Sequence, residues 1–83
     1  MVIDFYADWC APCRMMPPIL KEVKNTKGAE VRILKIDVDK NPKLEAKYEV
    51  RNIPTLMIFR NGEPIWRKAG VVQAGEILAA LPK

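Results

Sequence analysis

Two apolar runs bracket a helical pattern early in this chain, and that arrangement restricts the fold more than any other feature. Val2–Ala7 is short and nearly continuously apolar, as a buried strand is. Val31–Val38 is rich in β-branched residues and reads as a second strand. Between them Met15, Met16, Ile19, Leu20 and Val23 recur at helical spacing, which predicts a helix over about Ala11–Asn25. Pro17-Pro18 lie inside that pattern and should kink it, and Lys27-Gly28 should end it. Strand, helix, strand in that order implies a parallel pair. Asn41-Pro42 then opens a short helix over Lys43–Glu49, with asparagine as N-cap and proline at the first helical position. Thr55–Arg60 is a third strand. Asn61-Gly62 is a hairpin turn, because both turn positions need positive φ, and Pro64–Ala69 is the returning strand. Gly70 breaks it, and Ala74–Leu81 closes the chain as a helix with Ile77, Leu78 and Leu81 inward. The order βαβαββα predicts an α/β fold: a mixed sheet of about four strands flanked by helices.

At 83 residues the chain holds one domain, 1–83, with a modest core. No apolar run approaches the roughly 20 residues of a membrane span, and no basic segment precedes Val2 to mark a signal peptide, so a cytoplasmic protein without membrane contact is expected. Histidine is absent, which excludes Ser-His and Cys-His catalysis and c-type haem attachment. Two cysteines alone do not close a Cys₄ zinc site. The net charge of +4 is spread among interspersed signs, and Lys21, Lys24 and Lys27 read as a solvated helix face. Nucleic-acid binding would want a denser stripe or more stacking aromatics than 7% of the chain.

Trp9-Cys10-Ala11-Pro12-Cys13 falls where the first strand meets the first helix. A cysteine just before a helix N-terminus faces unpaired N–H groups and the positive end of the dipole, which favour thiolate over thiol. Cys13 lies three residues on, within bonding reach, and Pro12 stiffens the turn without losing a donor. A structural staple is one alternative, but a loop this short removes only about 2 kcal/mol of chain entropy. A metal site completed by a second chain and a pair of inert buried cysteines are others. Redox chemistry fits best, because CxxC beside a βαβ pattern is its usual setting. Asp4 lies mid-strand between Ile3 and Phe5, where a charge is expensive; burial should raise its pKa and suit it to exchange a proton with a nearby thiol. Lys35, between Leu34 and Ile36, would tune that carboxyl from the adjacent strand, or else simply points outward.

The segment VIDFYADWCAPCRMMPPIL resembles the active-site segment of thioredoxins, and LKIDVDKNP and VRNIPTLMIFRNGE come after it in the family's order. The resemblance runs from Val2 to about Leu81. It implies a thioredoxin-like fold with sheet order 2-1-3-4, and a thiol–disulfide oxidoreductase acting mainly as a reductant. By resemblance, Cys10 attacks, Cys13 resolves, Asp4 is the buried aspartate and Lys35 the lysine beside it, so these four form the catalytic set and Cys10–Cys13 the redox-active disulfide. Trp9, Ala11, Pro12, Ile53, Pro54 and Gly70 would meet the substrate, with Ile53-Pro54 a cis-proline loop, Gly70 leaving room in the groove, and Pro18 kinking the helix. Ala11 stands where glycine is usual, and the family's first strand and helix have no counterpart before Val2. The implied partners are disulfide-bearing proteins and an NADPH-dependent thioredoxin reductase; no cofactor or metal is implied. Without the outer strand, Val31–Val38 becomes an edge guarded by Arg32, Lys35 and Asp37, the Lys43–Glu49 helix covers one face, and the protein should be mostly monomeric. The competing reading is a non-catalytic module binding extended segments at the Pro54 loop.

Overall fold

The computed structural model describes residues 1–82. Strands β1 (Val2–Tyr6), β2 (Ile33–Asp37), β3 (Thr55–Arg60) and β4 (Glu63–Ala69) form one mixed sheet in the order β2-β1-β3-β4. β1 runs parallel to β2 and antiparallel to β3, and β3 runs antiparallel to β4. The helices are α1 (Met16–Lys27), α2 (Pro42–Lys47) and α3 (Ala74–Ala80). The order 2-1-3-4 is the one implied by the thioredoxin resemblance.

Side-chain alternation splits the core into two layers. On one face Val2, Leu56 and Ile58 pack under Met16, Leu20 and Val23 of α1 and Ile77 of α3. On the other, Ile3, Phe5, Met57 and Phe59 pack with Ala7, Cys10, Cys13, Val38 and Val50. The expected Lys43–Glu49 segment does cover that second face, through its C-terminal end. No residue of α2 is buried; the segment after it closes the layer, with the Tyr48 ring edge-on to Phe59 at 5.3 Å and tilted to Phe5 at 6.1 Å. A six-residue helix is too short to present a full apolar stripe, so an aromatic at its end supplies the area.

The expected helix over Ala11–Asn25 is two pieces: a 3₁₀ turn at Pro12–Met15, then α1. Pro17 and Pro18 therefore sit in the first turn of α1, where no N–H is required, and begin a helix rather than kink the middle of one. Gly28 ends α1 at φ +58, and Asn61 (φ +53) and Gly62 (φ +82) form the hairpin turn with both residues left-handed. Asn41 precedes α2, but its amide donates to the Asp37 carbonyl at 2.9 Å and does not cap the helix. Asp37 is buried, not an edge guard: its Oδ1 accepts the N–H groups of Asp39 (2.9 Å) and Lys40 (3.4 Å) and builds the turn out of β2.

Candidate active site

Cys10 and Cys13 lie where β1 leaves the sheet and α1 begins, which is where a parallel α/β sheet gathers its reactive groups. The Cys10 N–H donates to the Ala7 carbonyl at 3.1 Å and the Arg14 N–H to Ala11 at 3.1 Å, so the turn is wound before α1 proper. The two Sγ atoms are at disulfide distance, with the Cα atoms 5.3 Å apart. The Cys13 N–H donates to Cys10 Sγ at 3.2 Å. In the reduced protein such a donor and the helix N-terminus would favour a thiolate at Cys10. Exposure does not separate the two: Cys10 is 4% accessible and Cys13 5%. Both belong to the same packed layer as Ile3, Phe5 and Met57.

Asp4 is fully buried and directly opposite Lys35 in the β1–β2 register. Among the described residues neither Asp4 oxygen has a hydrogen-bond donor. Burial pushes its pKa up to about 6, and the Lys35 charge partly offsets that rise. Lys35 is exposed, and its ammonium lies 4.7 Å over the Tyr6 ring. It acts on Asp4 through space and not as an ion-pair partner. A pocket of about 170 Å³ beside Cys13 is lined also by Tyr6, Pro17 and Lys35, room enough for water.

The remaining predicted residues surround the disulfide. Trp9 is 70% exposed, with its indole N–H donated to Asp39 Oδ2 at 2.8 Å. Ala11 and Pro12 are exposed beside it. The Ile53–Pro54 peptide is cis, and the Ile53 carbonyl oxygen is 3.7 Å from Cys10 Sγ. The Gly70 N–H donates to the Pro54 carbonyl at 2.7 Å. A Cβ at Gly70 would meet no protein atom within 4 Å; the position demands glycine because φ is +92. The sequence reading missed Tyr6 as the seat for Lys35, Asp39 as the partner of Trp9, and Thr55, whose hydroxyl donates to the Asn52 carbonyl at the foot of the loop. Only Asp39 had a signal, a carboxylate in the turn before Asn41-Pro42, and nothing local connects it to Trp9.

A family model described as Thioredoxin matches residues 1–83. A thioredoxin-like protein of Synechocystis is 41% identical over 81 residues, covering 98% of this chain and 77% of that protein. A thioredoxin of Rickettsia bellii is 41% identical over 78 residues, covering 94% and 74%. A thioredoxin of Staphylococcus epidermidis is 43% identical over 82 residues, covering 99% and 79%. Among solved structures, one described as thioredoxin-2, a component of malaria parasite protein secretion machinery, superposes with a TM-score of 0.89 at 31% identity, covering 94% of this chain and 76% of its own.

Proposed function

The chain belongs to the thioredoxin family and is a thiol–disulfide oxidoreductase with protein-disulfide reductase activity, and from that premise we propose how its residues divide the work. In the reduced protein the Cys10 thiolate attacks a substrate disulfide. A Cys10–substrate S–S bond forms, the substrate S–S bond breaks, and the departing sulfur takes a proton. Cys13 then loses its proton to Asp4 and attacks Cys10 Sγ. The Cys10–Cys13 bond forms, the mixed disulfide breaks, the second substrate sulfur leaves and takes a proton, and two electrons have passed to the substrate. Lys35 moderates the basicity of Asp4. Trp9, Ala11, Pro12, Ile53, Pro54 and Gly70 form the surface on which an extended substrate segment lies, the Ile53–Pro54 loop offering backbone to it.

The observation that carries this assignment is the Cys13 N–H donated to Cys10 Sγ at 3.2 Å, which makes Cys10 the better thiolate. The oxidised pair needs an external reductant, for which we propose an NADPH-dependent thioredoxin reductase. We read residues 1–83 as one domain, mostly monomeric, working in the cytoplasm, where dithiols are kept reduced. No helix among the described residues is long and apolar enough to cross a membrane. Insulin reduction driven by dithiothreitol tests the scheme. Cys10→Ser abolishes turnover, and Cys13→Ser accumulates a mixed disulfide through Cys10. Turnover surviving Cys10→Ser overturns the roles assigned to the cysteines, and wild type no faster than dithiothreitol alone leaves the competing reading, a non-catalytic module binding extended segments at Pro54.

A further inference from the structure

Helix α2 ends in a motif that ordinarily uses glycine. The Val50 N–H donates to the Glu45 carbonyl at 3.0 Å and the Glu49 N–H to the Ala46 carbonyl at 3.2 Å. These are the paired bonds of a Schellman cap, whose middle residue is left-handed. That residue here is Glu49, at φ +51. A β-carbon makes this conformation unfavourable, so contacts beyond the helix that favour it matter more here than at a glycine.

Arg67 on β4 supplies such contacts. Its Nη1 donates to the Tyr48 carbonyl at 2.7 Å and its Nη2 to the Glu49 carbonyl at 3.1 Å. Arg67 pairs with Met57 in the β3–β4 ladder, and Met57 belongs to the same packed layer as Cys10 and Cys13. The side chain crosses a cleft of about 410 Å³ that Tyr48, Glu49, Pro64 and Trp66 also line. A guanidinium fork reaches two successive carbonyls at once, which one ammonium does not.

The clamped residues lead directly into the redox loop. Val50 is 5% accessible and packs with the cysteines. Arg51 and Asn52 are exposed, and Ile53 then sets its carbonyl 3.7 Å from Cys10 Sγ. At the far end the Gly70 N–H holds the Pro54 carbonyl. β4 and the residue after it therefore grip the loop at both ends, Arg67 before it and Gly70 behind it. We infer that Arg67 is a positioning residue of the redox site, fixing the Ile53–Pro54 loop so that a protein disulfide docks on it. This rests on the loop being the substrate surface proposed above.

The test compares wild type, Arg67→Gln, Arg67→Lys, Glu49→Gly and the E49G/R67Q double variant on two substrates, insulin and a small aromatic disulfide that needs no loop backbone. Arg67→Gln raises KM for insulin about three- to tenfold with kcat held within about twofold. It leaves the small disulfide and the iodoacetamide rate of reduced Cys10 unchanged. Adding Glu49→Gly, which removes the left-handed penalty, restores most of the insulin KM, whereas Arg67→Lys restores little. An unchanged insulin KM, an equal loss on both substrates, or no recovery with glycine overturns the inference. If Arg67→Gln does not fold, Arg67→Lys with and without Glu49→Gly gives the same comparison. Wild type inactive on both substrates would instead sink the functional reading.

Discussion

Asp4 shows how much one residue's surroundings decide. A carboxyl on a strand at the protein surface would be an ordinary acid. Here it is fully buried with no donor among the described residues, and its pKa rises to about 6. The fold therefore holds the Asp4 proton more tightly than the unfolded chain does. Below the usual carboxylate range both states are protonated, and ionisation of Asp4 costs nothing. From there up to pH about 6 the unfolded chain ionises first, so stability falls as pH rises, by about 3 kcal/mol in all. Asp4→Asn removes that slope. Urea unfolding of the oxidised proteins should show the variant more stable by up to about 3 kcal/mol near pH 8 and little different near pH 4. On the proposed role of Asp4 as the base for Cys13, the same variant should slow resolution of the mixed disulfide at neutral pH. Equal stabilities at both pH values, or unaltered turnover, would return Asp4 to a merely structural role.

At the scale of elements, glycines of opposite meaning lie five residues apart. Gly70 ends β4 at φ +92, while Gly75 lies in α3, and a Cβ on either meets nothing within 4 Å. Space is therefore not what distinguishes them; backbone conformation is. Gly70→Ala forces a side chain into a left-handed region and should destabilise by about 1–2 kcal/mol. Gly75→Ala removes unfolded-state freedom inside a helix and should stabilise by about 0.5–1 kcal/mol. Urea midpoints at constant m-value measure both. Gly70→Ala should also weaken insulin reduction, since the Gly70 N–H holds Pro54. A stabilising Gly70→Ala would mean the φ there relaxes freely.

For the molecule as a whole, the exposed liabilities lie on the sheet edge and around the disulfide. β2 has one strand neighbour, and Leu34 on it is 43% exposed. An open edge with an apolar side chain invites another strand, while Arg32 and Lys35 oppose like-charged pairing. Asp37 does not help, being buried in its own turn. Sedimentation should find a monomer at low micromolar concentration with weak association above it, and Leu34→Lys should suppress that association. A tight dimer at low micromolar concentration would refute this.

The strands, the hairpin and the CxxC at a strand–helix junction were legible because each is written in local pattern: apolar runs, an Asn-Gly pair, two cysteines three apart. Asp4 was legible for the same reason, as a charge in an apolar strand. The sequence misled where a residue's role depends on local backbone geometry or on a distant partner. Nothing near Pro17-Pro18 says that a 3₁₀ turn precedes them, so they read as a kink rather than a start. Asp37 read as an edge charge, although the N–H groups it binds are only two and three residues on, in a local turn. Arg67 looks like any exposed strand cation until the chain brings Tyr48 and Glu49 across from it. Local periodicity and turn chemistry thus determined which elements form and where the dithiol sits. Which backbone groups are held and which carboxyl loses water were decided by packing, because burial and hydrogen-bond partners such as these arise only when segments far apart in sequence meet.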